Sequence, residues 1–75
     1  MNRLNIKLYS PKDEWPEENE QIICLFTDGT WDVLTLISFE ATVGGYAFED
    51  QSGQLLETDE FIETVLSWGY LPKYW

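Results

Sequence analysis

The sequence predicts a mainly β fold: a small antiparallel sheet or strongly curved half-barrel of about five strands, with one or two short helical turns and an α+β arrangement as the alternative. Three observations carry this. Apolar and polar residues alternate with period two in several short runs. Asp28-Gly29 and Asp50-Gln51-Ser52-Gly53 stand between such runs as hairpin turns. The chain has 75 residues and no repeat or linker, so it is read as one domain, 1–75. Such a chain buries only about 60% of its unfolded surface. Aromatics at 16%, with four Trp, four Tyr and four Phe, supply the area a thin core needs.

The elements follow in order. Residues 3–9 alternate, with Leu4, Ile6 and Leu8 opposite Arg3, Asn5, Lys7 and Tyr9, which predicts a half-buried strand. Ser10-Pro11-Lys12-Asp13-Glu14 reads as a helix start, and Trp15-Pro16 ends it within about one turn. Glu20 to Phe39 reads as a hairpin around a two-residue type I′ turn at Asp28-Gly29. In that register Thr27 opposes Thr30, Phe26 opposes Trp31 and Cys24 opposes Val33. One face then carries Ile22, Cys24, Phe26, Trp31, Val33, Ile37 and Phe39, and the other Ile23, Leu25, Leu34 and Leu36. Thr42-Val43-Gly44-Gly45 is a break. Tyr46–Phe48 and Gln54–Leu56 form a second hairpin, on a type I turn with Gly53 left-handed. Thr58–Ile62 reads as a capped helical turn and Thr64–Leu71 as the last strand, with Val65, Ser67 and Gly69 opposite Leu66, Trp68 and Tyr70.

Charge is the most informative feature for function. The net charge is −10, from four basic and fourteen acidic residues. The basic ones, Arg3, Lys7, Lys12 and Lys73, lie near the chain ends. From Asp13 to Pro72 there are fourteen carboxylates and no Lys or Arg, so this stretch forms no such ion pair with itself. A field of that sign repels nucleic acid and anionic membranes, and it attracts basic protein surfaces. The candidate partner-binding residues are Asp13, Glu14, Trp15, Glu17, Glu18 and Glu20 in the first third of the chain. Asp28, Asp32, Glu49 and Asp50 follow on the hairpins, then Glu57, Asp59 and Glu60. The simpler reading of the same residues is solubility and suppression of self-association.

Catalytic and cofactor chemistry finds no purchase. There is no histidine, so Ser-His and Cys-His nucleophiles and His-based metal sites are absent. No carboxylate pair stands out for acid–base work. Phe26-Thr27-Asp28-Gly29-Thr30 resembles the D-x-D-G-T loop of haloacid-dehalogenase phosphatases, with Phe26 where the nucleophilic Asp belongs. Counting back from Gly53 in a calcium loop puts Phe48 where an Asp is needed. No catalytic residue, cofactor or metal site is therefore expected. Cys24 is the lone cysteine and lies in the apolar run Ile22–Phe26, as a small core residue would. A chain without a disulfide, an apolar leader or a membrane-length apolar run predicts a soluble protein of the cytoplasm.

A resemblance adds to this reading. Trp15-Pro16-Glu17-Glu18, Ile22-Ile23-Cys24-Leu25, Asp28-Gly29, Trp31, and Val65-Leu66-Ser67-Trp68-Gly69-Tyr70-Leu71-Pro72 are similar to a family of short phage and prophage proteins of unknown function. That family's pattern runs L-P-E-E, V-L-V, D-G, W and V-T-H-W-M-P-L-P. Ser67 replaces its His and Gly69-Tyr70 its Met-Pro, so no role of that His carries over. The resemblance implies a phage or mobile-element origin, with the protein then acting in the host cytoplasm, and implies no activity.

Together these features predict a non-enzymatic, acidic protein-binding module. The leading expectation is a phage-encoded inhibitor of a host defence protein, anti-CRISPR-like, that covers a basic nucleic-acid-binding surface by electrostatic mimicry. Two alternatives stand beside it. One is an immunity protein or antitoxin that neutralises a basic toxin. The other is an assembly module forming a homodimer through Ile23, Leu25, Leu34 and Leu36.

Overall fold

The structure, a computed structural model, describes residues 6–42 and 44–71. Five strands form one antiparallel sheet: β1 Gln21–Phe26, β2 Trp31–Ser38, β3 Tyr46–Asp50, β4 Leu55–Glu57 and β5 Val65–Tyr70. Helix α1, Thr58–Thr64, the one α-helix among the described residues, joins β4 to β5. Strand order is β4-β3-β2-β1-β5. The mainly β expectation is met, with the first four strands a meander and the last returning beside the first.

The first hairpin differs from the sequence reading by one residue. Leu25 opposes Trp31, Cys24 opposes Asp32 and Ile23 opposes Val33. The turn explains the shift. A type I′ turn needs positive φ at both central residues, but Gly29 is at φ 88° while Asp28 is not in the positive range. The loop is instead a three-residue one, a type I turn followed by a left-handed glycine. Gly29 N–H donates to Phe26 O at 3.0 Å and Phe26 N–H to Thr30 O at 2.8 Å. Asp28 Oδ1 holds it by accepting from Thr30 N–H and Thr30 Oγ1. The second hairpin has the same construction, as expected: Gly53 is at φ 89°, and Asp50 N–H donates to Gln54 O at 2.9 Å.

A one-residue slip reassigns faces. Leu34 and Leu36, expected opposite Cys24, join Ile22 and Cys24 on the core face, where all four are buried. Val33 and Trp31 move to the other face with Ile23 and Leu25. The predicted dimer surface is therefore split between the two sides of the sheet.

Two segments cover the core face away from the two hairpin turns. Helix α1 places Phe61 flat on Phe48, with ring centroids 3.7 Å apart and planes at 8°. Residues 9–20 cross beside it. Tyr9 stacks on Trp68 at 4.7 Å, Trp15 packs on both Phe48 and Phe61, and Pro11 and Pro16 are buried. The expected turn after Ser10 forms, with Asp13 and Glu14 N–H both donating to Ser10 O. Trp68 Nε1 donates to Glu14 O at 3.0 Å, and Glu17 N–H to the Tyr70 hydroxyl at 2.9 Å.

Two further expectations are corrected. Within the described part of the predicted strand 3–9, residues 6–8 are not strand and Tyr9 makes a lone antiparallel bridge to Trp68; residues 3–5 lie outside the described residues. Helix α1 has no side-chain cap: Glu57, its N-cap, makes no side-chain cap bond. On the other hand Gly69 sits directly under residues 6–8, so the alternation does place Ile6 and Leu8 over the sheet's second face.

The β4-α1-β5 connection sets the curvature. By register, β4 ends level with Ile37 and β5 begins near Thr30. On a flat sheet those points lie about 30 Å apart, from four strand spacings across and seven residues along. The seven residues of α1 cover about 10 Å. The sheet must coil for so short a helix to join its two edges.

Candidate acidic interface

The core fixes where the carboxylates stand. The cover layer over the core face, residues 9–20 and α1, carries Asp13, Glu14, Glu17, Glu18, Glu20, Asp59, Glu60 and Glu63, eight of the fourteen, and all eight are exposed. They are held outward because the same backbone turns its apolar side chains and its polar contacts inward. Glu14 contributes its carbonyl and Glu17 its N–H to the core aromatics. Between Glu18 and Glu20, Asn19 takes a left-handed φ of 69° and donates its N–H to Leu36 O at 2.7 Å. Trp15 is 39% exposed but packs on two core rings, so it is a half-open wall of the core more than a free anchor. Glu63 was not among the expected residues; its place in the last turn of α1 is what adds it.

The other expected residues lie elsewhere. Both hairpin turns are at one end of the sheet, bringing Asp28, Asp32 and Asp50 to that end. Hydrogen bonding to Thr30, chiefly from its hydroxyl, holds the Asp28 carboxyl below the usual carboxylate range. The Ser52 hydroxyl leads a similar set, with the N–H groups of Gln54 and Ser52, that lowers Asp50. Glu49 and Glu57 pair with Thr35 and Ala47 on the second face. Thus, of the twelve expected carboxylates, seven share the cover layer and five do not.

The second face is different in kind. Across β2, β1 and β5 it presents Trp31, Val33, Ile23, Leu25 and Gly69 by register. Ile6, Leu8, Ile23 and Trp31 line a shallow cleft of about 300 Å³. Trp31 is 53% and Leu8 47% exposed. The molecule is two-sided, acidic over the core and, behind β2, β1 and β5, apolar, with Glu49 and Glu57 on the neighbouring β3 and β4.

Chemistry at these sites is limited. Among the described residues no three His, Cys, Asp or Glu side chains are grouped as metal ligands would be. Burial, and secondarily the charge of Asp32, pushes the Cys24 thiol up to about 12. A thiol protonated at neutral pH is a poor nucleophile. Among the described residues no helix is long and apolar enough to cross a membrane.

No protein family matches the chain, and neither a curated protein nor a solved structure does.

Proposed function

We propose that this protein is a non-enzymatic binding module that lays its acidic cover layer on a basic surface of another protein, one that otherwise holds nucleic acid. A phage-encoded inhibitor of a host defence protein such as a CRISPR effector, acting in the host cytoplasm, is the form this takes. The observation that carries it is the cover layer, with eight exposed carboxylates standing on an aromatic core and Lys12 as its one basic residue. Glu63 lends particular support. Asp59 and Glu60 are in the first turn of α1, where acid stabilises a helix by itself. Glu63 is in the last turn, where acid opposes the helix dipole and no basic residue offsets it, so local stability gives no reason for it. Association through such a layer is fast and strongly salt-dependent. An antitoxin or immunity protein for a basic toxin would use the same physics.

The test is affinity capture from a bacterial host lysate, with the wild type and two charge-reversed forms, one at Glu17, Glu18 and Glu20 and one at Asp59, Glu60 and Glu63. Basic nucleic-acid-handling proteins are expected, released by salt, displaced by oligonucleotide and lost in both variants. Salt-insensitive capture that survives both reversals would sink the reading.

The second face favours one other reading, self-association. Its apolar residues are Trp31, Ile23, Leu25 and Leu8, not the Leu34 and Leu36 of the sequence expectation, which are buried in the core. A concentration-dependent dimer lost on Trp31→Lys would favour it.

A further inference from the structure

Between the two hairpin turns the core face is left uncovered, and a cleft of about 130 Å³ opens there. Its floor is apolar, with Leu34 buried and Phe26 and Leu56 half-buried, and Gln54 and Leu55 complete the lining. Asp32 and Asp50 stand at its rim. Asp32 belongs to the core-facing row of β2, opposite Cys24, and Asp50 is opposite Leu34. Both are oriented by their own backbone. Asp32 Oδ1 accepts Val33 N–H at 2.8 Å. Asp50 Oδ1 accepts Ser52 N–H, Ser52 Oγ and Gln54 N–H. Among the described residues none donates a hydrogen bond to either Oδ2.

We infer that this cleft receives an arginine side chain of the partner, its methylenes on Phe26, Leu34 and Leu56 and its guanidinium between Asp32 and Asp50. The inference rests on the acidic-interface reading and gives it a point of insertion. Charge complementarity selects the occupant. An apolar slot ending in two carboxylates matches a side chain with an apolar stem and a cationic head. Arginine is the better fit because its planar, weakly hydrated fork serves two carboxylates at once. The stretch from Asp13 to Pro72, which builds the cleft, has no Lys or Arg of its own to fill it.

The experiment is an NMR titration of the labelled full chain with the peptide acetyl-Gly-Arg-Gly-amide and with its citrulline counterpart, uncharged but nearly isosteric. The arginine peptide should shift Asp32, Gln54, Leu55 and Leu56 first and give contacts from its methylenes to the Leu34 and Leu56 methyls. Asp32→Asn should weaken it about two- to five-fold, as loss of one exposed ion pair does, and the citrulline peptide should not saturate. Asp50 is left intact because it also holds its turn. Shifts confined to the cover layer, unchanged by Asp32→Asn, would overturn the cleft and leave the acidic interface standing. Equal binding of both peptides in the cleft would overturn the assigned charge recognition. Salt-insensitive capture surviving the cover-layer reversals, with arginine binding in the cleft intact, would remove the interface reading alone.

Discussion

Gly69→Ala should destabilise this protein, against the usual rule for strands. Glycine in a strand interior costs roughly 0.5–1 kcal/mol relative to alanine, so the substitution gains that much where there is room. Here there is none. A Cβ on Gly69 would collide with Ile6 Cγ2 and lie 2.6 Å from the Lys7 carbonyl oxygen, with Leu8 Cδ2 at 3.3 Å. Ile6 and Leu8 can turn their side chains away, but a backbone carbonyl moves only with its segment. If the segment stays, overpacking costs about 1–3 kcal/mol. If it lifts, the two Tyr9–Trp68 bridge hydrogen bonds, at 2.7 and 3.0 Å, are lost at about 1 kcal/mol each. The stacking of those rings goes too, at about 0.5–1.5 kcal/mol. Less the gain from removing the glycine, overpacking leaves a loss of up to about 2.5 kcal/mol and lifting one of about 1.5–3 kcal/mol, each kcal/mol being worth about 4–8 °C in Tm for a domain this small. The assay is thermal and urea unfolding of four proteins: wild type, Gly69→Ala, a form lacking residues 1–8, and the combination. Without residues 6–8 the clash is gone, so Gly69→Ala should turn neutral or stabilising in the shortened chain. An equal penalty in both backgrounds, or none in the full chain, would refute the reasoning.

Other substitutions probe the remaining contacts. Phe61→Ala removes a fully buried ring stacked on Phe48 and should cost about 3–5 kcal/mol in urea unfolding; a loss under about 1 kcal/mol would mean the helix does not close the core. Cys24 should resist a thiol reagent at pH 8 until the protein is unfolded. Its folded pKa, near 12, lies above the unfolded value, so the stability it contributes is whole below about pH 9 and falls away as pH rises toward 12; Cys24→Ala should flatten that alkaline limb of the stability profile. Asp50→Ala should lower Tm above pH 4 and converge with the wild type in acid, since a depressed carboxyl contributes only while ionised. Trp31→Thr should leave the unfolding free energy within about 0.5 kcal/mol of wild type, and Tm independent of concentration, if the protein works as a monomer.

Local chemistry made most elements legible in advance. Asp50 to Gly53 has the residues of its turn, and the turn forms as read. Asp28-Gly29 has the same kind of residues, but the choice between a two- and a three-residue loop depends on whether Asp28 takes positive φ. That is decided by strand pairing, and the error moved Leu34 and Leu36 to the wrong face. Residues 6–9 alternate as a strand does, yet only Tyr9 bridges to Trp68. The acidic run was visible at once, but not its distribution. Nothing in the order of residues says that Glu17 and Glu63 share one layer while Glu49 and Glu57 face the other way. That follows from Phe61 and Trp15 meeting over Phe48, a contact between segments some forty-five residues apart.

The return of β5 to the side of β1 has a consequence for how the molecule is made. Strands β1 to β4 are joined by connections of seven residues or fewer and can pair as soon as they leave the ribosome. Trp68, Tyr70 and Val65 cannot, and they are the ceiling under which Tyr9 and residues 10–20 must fit. A nascent chain ending near Thr64 would have the partners of Trp15 and Asn19, but it would lack the bridge to Tyr9 and the hydrogen bonds to Glu14 and Glu17 that Trp68 and Tyr70 supply. Pairings across such sequence distances are slow to form, and until they do the exposed apolar surface is protected chiefly by charge repulsion between chains. All fourteen carboxylates precede β5 in the chain, so the full repulsion between copies would already be present while the last strand is still being made.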